Sequence, residues 1–185
     1  ATYPKFLQEK LGNKYQVKNF GKGGATLIEG TNHPYFKKKE YKNSLKFTPD
    51  IVLIMFGTND ANVKWCLDEN RKTEFKGTPQ EEFKSQYIKL IKSYKGKNTK
   101  AEIYVLTPLP IYEHEKSRDP EIKQRIKHLN EWVIPNIKEI SEEQNVKLID
   151  VNTLMKKGYK YTVDGVHLTK EGYKVLANKI ATEIK

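Results

Sequence analysis

A chain of 185 residues is one ordinary domain, and its 37% hydrophobic and 11% aromatic content suffices for a core, which excludes disorder as the resting state. The +11 net charge is carried almost wholly by lysine, with arginine only at Arg71, Arg118 and Arg125; lysines scattered over every predicted helix describe a solvated surface and speak against nucleic-acid readout, which favours arginine forks. No run reaches the ~18 apolar residues of a membrane helix, residues 1–10 lack the apolar core of a signal peptide, and the single Cys66, read as a small, part-buried thiol, excludes an internal disulfide and a cysteine zinc site.

There is no repeat, low-complexity tract or linker, so one domain over residues 1–185 is expected. Tyr3, Phe6, Leu7 and Leu11 recur at helical spacing, and Gly12 stops them. Residues 15–20 read as a short strand ending at Gly21. A lysine-rich helix covers part of 36–45, with the Lys37-Lys38-Lys39 cluster on a helix or loop face. The continuous apolar run 50–56, closed by Gly57, has the composition of a strand buried on both faces.

Thr78-Pro79-Gln80-Glu81 combines a capping box with a proline at the first helical position, and Phe83, Tyr87, Leu90, Ile91 and Tyr94 supply the buried stripe behind it. Residues 101–107 form another buried strand, stopped by Pro108 and Pro110. A long helix starts at Asp119-Pro120 and runs through Ile126, Leu129, Val133 and Ile140, kinked or broken at Pro135. Residues 146–151 give a fourth strand, and Thr169 caps the last helix. Strands alternating with helices predict a three-layer α/β fold around a mainly parallel sheet, with ligands held beyond the carboxyl ends of its strands.

Three groups of chemistry-bearing residues fall at those ends. Glycines 21, 23 and 24 let backbone N–H groups approach an anion closely, although a plain turn would use the same residues. In Gly57-Thr58-Asn59-Asp60, Asn59 is placed to donate to a developing oxyanion and Asp60 to hold the loop; an Asn-Asp turn without chemistry has the same pattern. In Asp164-Gly165-Val166-His167, the carboxylate is spaced to orient the imidazole, with a surface histidine in a helix-preceding turn as the alternative. His33, His114 and His128 lack comparable settings, and no histidine pair has metal-ligand spacing, so no metal site is expected.

In this order and setting the three groups resemble the SGNH hydrolases, the GDSL-like esterase and lipase family, over essentially the whole chain. Gly24 matches the family's oxyanion glycine, Asn59 the oxyanion asparagine of its G-x-N-D block, and Asp164 and His167 its D-x-x-H block. The resemblance implies a flavodoxin-like α/β/α sandwich with a mainly parallel five-stranded sheet, and no cofactor. One block departs from the family: no Gly-Asp-Ser occurs, and none of Ser44, Ser85, Ser93, Ser117 and Ser141 precedes Gly24. The expectation is therefore an SGNH domain whose first strand and nucleophile lie outside this chain. An additional N-terminal segment of roughly 15–30 residues would supply them, as upstream sequence or as a separate cleaved peptide.

The activity implied is that of a serine esterase, with Asp164 orienting His167 and with Gly24 and Asn59 binding the oxyanion. Trp65, in the long polar segment after Asp60, suits stacking on a sugar ring or packs its own loop. Removal of O-acetyl groups from carbohydrate, in the manner of sialate or xylan acetylesterases, leads. A lysophospholipase- or thioesterase-type acyl hydrolase would want a longer apolar groove. A non-catalytic SGNH-like module binding carbohydrate or protein is the third possibility. Neither nucleic acid nor membrane is an expected partner. The compartment is open, an extracellular or periplasmic setting being compatible with the resemblance.

Overall fold

The computed structural model describes residues 2–62 and 77–184. Its sheet has three parallel strands in the order β1 (Ile51–Ile54), β2 (Glu102–Leu106), β3 (Lys147–Ile149). The register sets Ile51 opposite Glu102 and Tyr104 opposite Lys147. The helices are α1 (Tyr3–Leu11), α2 (Lys39–Phe47), α3 (Pro79–Lys97), α4 (Ile122–His128), α5 (Ile134–Glu143), α6 (Val151–Leu154) and α7 (Lys170–Glu183).

Alternation along the strands divides the core in two. Val52, Ile54, Ile103 and Val105 pack with Phe83, Tyr87 and Ile91 of α3 and with Ile137 and Ile140 of α5. Tyr104, Leu106 and Ile149 point the other way, against Phe6 and Leu7 of α1 and Leu176 and Ile180 of α7. Helices on both faces of a parallel sheet make the expected three layers. The helix starts follow the sequence: Glu81 N–H donates to Thr78 Oγ1 while Glu81 Oε2 accepts from Thr78 N–H, and Thr169 Oγ1 accepts from Gly172 N–H.

Several expectations change. Residues 15–20 form no strand: Val17 N–H donates to Gln8 Oε1 at 2.7 Å and Tyr15 O accepts from Gln8 Nε2 at 2.9 Å, so the segment is fastened to α1 rather than to a ladder. The sheet therefore has three strands among the described residues, not the four read from the sequence. β1 is only half-buried at Ile51 and Leu53, so its two faces are unequal. The run 146–151 divides, because Asp150 accepts from Thr153 N–H and starts α6 directly after β3. The long helix does not break at Pro135: its backbone stays helical from α4 through a π-turn, Leu129–Val133, into α5, and Pro135 sits in the first turn of α5, where its missing N–H costs little.

Candidate active site

β1 runs into Gly57, whose φ of +115° turns the chain sharply; a Cβ there would overlap Val133 Cγ1. The turn closes on itself, with Ala61 N–H donating to Gly57 O and Asn62 N–H to Asn59 O. Two of its side chains reach the glycine-rich loop. Asn59 Nδ2 donates to Ala25 O at 3.0 Å. Asp60 Oδ1 accepts from the amides of Leu27 at 2.8 Å and Ile28 at 3.1 Å. The structure thus brings Gly24, at φ +74°, beside the G-x-N-D turn, with Asp60 as the tie. Asp60 is fully buried; desolvation pushes its carboxyl up to about 6, against the pull of the Ile28 and Leu27 amides.

Two residues given no role at the site by the sequence analysis hold the turn from its other side. Arg125 of α4 donates through Nε to Thr58 O at 2.8 Å and through Nη2 to Asn59 Oδ1 at 3.2 Å. Its Nη1 pairs with Asp119 Oδ2 at 2.9 Å. One helical turn on, His128 Nδ1 meets Ala61 O at 2.9 Å, a structural contact to the backbone of the turn. The available hint was the scarcity of arginine in a lysine-rich chain. Nothing local signalled a partner 66 residues away.

The second cluster lies before α7. Asp164 Oδ1 accepts from the amides of Val166 at 3.0 Å and His167 at 2.8 Å, and its Oδ2 lies 2.8 Å from His167 Nδ1. Desolvation works to raise the Asp164 carboxyl, but the His167 amide, the His167 ring and the Val166 amide outweigh it and hold the group down at about 2. An ionised Asp164 makes Nδ1 the protonated nitrogen, leaving Nε2 to accept a proton. The His167 side chain is 75% exposed. Gly165, at φ +87°, lets the turn close against the segment after β2: Tyr112 N–H donates to Gly165 O at 3.0 Å, and a Cβ on Gly165 would overlap Tyr112 O.

Val166, between Asp164 and His167, packs against the half of the core that also contains Ala25. None of the five serines is hydrogen-bonded to His167. Ser44, Ser93 and Ser141 donate to carbonyls of their own helices, Ser117 Oγ accepts from Asp119 N–H, and Ser85 lies exposed on α3. Trp65 and Cys66 lie outside the described residues. Among the described residues no group of three His, Cys, Asp or Glu side chains is placed to hold a metal, and no helix is long and apolar enough to cross a membrane.

The sequence profile of the GDSL-like lipase/acylhydrolase family matches residues 1–175. An acetylxylan esterase of Xylanibacter ruminicola is 31% identical over 194 residues, which cover 99% of this chain and 38% of that protein, so the chain spans well under half of that relative's length. Among solved structures, the acetyl xylan esterase AlAXEase superposes with a TM-score of 0.69 at 22% identity, over 100% of this chain and 91% of its own. Est24, a carbohydrate acetylesterase from Sinorhizobium meliloti, gives 0.69 at 19% identity over 99% and 84%. These likenesses lend no support to a separate N-terminal peptide as a partner.

Proposed function

The chain belongs to the GDSL-like lipase/acylhydrolase family, and from that membership we propose that it hydrolyses a carboxylic ester, removing O-acetyl groups from carbohydrate. The observation that carries this is the 2.8 Å hydrogen bond between Asp164 and an imidazole that is three-quarters exposed. An oriented, solvent-facing imidazole beside a carboxylate that stays ionised at neutral pH is the equipment of a general base.

A serine hydroxyl attacks the acetyl carbonyl as His167 Nε2 takes its proton. Gly24 N–H and Asn59 Nδ2 receive the charge that develops on the carbonyl oxygen. His167 then gives the proton to the departing sugar hydroxyl, and water, deprotonated by the same nitrogen, releases acetate from the acyl-serine. Asp164 keeps the ring oriented and stabilises the imidazolium. The serine itself is assigned to sequence preceding residue 1, lying along the outer edge of β1. In support, no described serine hydrogen-bonds His167, and β1 pairs with β2 alone among the described strands. The domain is then 1–185 plus that strand.

Acetylated carbohydrate is favoured over long acyl chains by the acetylxylan esterase relative. The test is acetate release by the full-length protein from acetylated xylooligosaccharides, beside fatty-acid release from a lysophospholipid. Acetate release that is lost in His167→Ala supports the proposal. Preferential fatty-acid release would replace the substrate, and sugar binding without hydrolysis would make this a non-catalytic module.

A further inference from the structure

The amide of an asparagine is nearly symmetrical in shape, and its neighbours decide which end faces a substrate. Presented the wrong way round, Asn59 would aim a carbonyl oxygen at the oxyanion it is meant to receive. Two opposite neighbours fix it. Ala25 O, which only accepts, lies 3.0 Å from Nδ2. Arg125 Nη2, which only donates, lies 3.2 Å from Oδ1.

We propose that Arg125 is a positioning residue for ester hydrolysis, acting through Asn59; this rests on the function proposed above. The guanidinium holds three partners at once. Nε fixes the Thr58 carbonyl that precedes Asn59, Nη2 fixes the Asn59 amide, and Nη1 is held by Asp119. Asp119 is itself fastened, its Oδ1 accepting from Glu121 N–H at 3.0 Å and its N–H donating to Ser117 Oγ at 3.3 Å. Arg125 and Asp119 are 11% and 14% exposed, so the fork works largely away from water. His128, on the same face of α4, grips the far end of the turn at Ala61 O. The π-turn that follows α4 directly belongs to a class of irregularity frequent at functional sites. A lysine at 125 would keep the charge but not the planar fork that reaches Thr58 O, Asn59 Oδ1 and Asp119 together.

The experiment compares Arg125→Lys, Asn59→Ala and the double variant in the full-length protein by acetate release, and follows the Asn59 side-chain amide by NMR. Loss of one oxyanion donor costs about 10²–10³ in kcat, and misorientation of that donor by Arg125→Lys should cost about 10- to 100-fold, with KM changed less than about twofold. On the Asn59→Ala background the same substitution should cost less than about twofold, since residues acting as a unit are not additive. The Asn59 amide resonances should move in Arg125→Lys. Equal losses on both backgrounds, an unaltered kcat, or unmoved Asn59 resonances would each overturn the assignment. If Arg125→Lys does not fold, Asp119→Asn replaces it, with the same dependence on Asn59 and a smaller loss of about 3- to 10-fold. Wild-type protein without any esterase activity would remove the proposed reaction, while the amide resonances would still decide whether Arg125 orients Asn59.

Discussion

Asp60 Oδ1 stands 2.8 Å from the Leu27 amide, so a fully buried carboxylate at the end of β1 fastens the loop that carries Gly24. The same oxygen takes the Ile28 amide at 3.1 Å. One side chain thereby sets the spacing between the two proposed oxyanion donors, the Gly24 N–H and the Asn59 amide.

Asp60→Ala should strand two buried amide donors, at about 1–3 kcal/mol each, whereas Asp60→Asn keeps an acceptor oxygen and should cost less. Desolvation raises the folded carboxyl to about 6, above its unfolded value of ~3.9. The stability this group contributes is therefore complete below about pH 4 and lost as pH rises through about 6. Urea unfolding of wild type and Asp60→Asn between pH 4 and 8 checks this: the wild-type protein should lose stability relative to the variant across that window. Parallel curves would show that Asp60 does not titrate there.

Asp164 has the opposite sign. Its folded carboxyl is held at about 2, below the unfolded ~3.9, so its contribution is complete above about pH 4 and lost as pH falls toward 2. It should stay charged across the range in which esters are assayed. Asp164→Asn keeps an oxygen for the Val166 and His167 amides but removes the charge beside Nδ1, and kcat should fall on the order of 10³–10⁴. Acetate-release kinetics with a matching thermal melt separates loss of chemistry from loss of fold.

Gly57 and Gly24 both have positive φ but differ in surroundings. A Cβ on Gly57 would overlap Val133 Cγ1 and meet Phe83 Cζ at 3.4 Å, whereas one on Gly24 finds no atom within 4 Å. Gly57→Ala should destabilise the fold by more than the ~1–2 kcal/mol of left-handed backbone strain alone, and Gly24→Ala by no more than that strain. Calorimetry of the two variants reads the order directly; the reverse order would mean that the turn after β1 gives way easily.

What the sequence made legible was local. Asp164 and His167 are three residues apart and meet within one turn, and Asp60 follows Asn59 in a tight turn, so spacing made the local contacts readable while the roles rested on the family resemblance. The capping box at Thr78 and the N-cap at Thr169 were readable for the same reason. Arg125 was not, because its periodicity places it on a helix without saying which strand end that helix crosses. Residues 15–20 were misread because their composition reports an extended chain, while a strand also needs a ladder partner. The strand at 147–149 came out shorter than expected because Asp150 caps α6, a choice made by one side chain against an apolar run.

The most direct measurement is fluorophosphonate labelling of the full-length protein, followed by peptide mapping by mass spectrometry. The expected result is a single adduct on a serine upstream of residue 1, absent in His167→Ala. No adduct, or an adduct confined to Ser44, Ser85, Ser93, Ser117 or Ser141, would contradict a serine esterase built on Asp164 and His167.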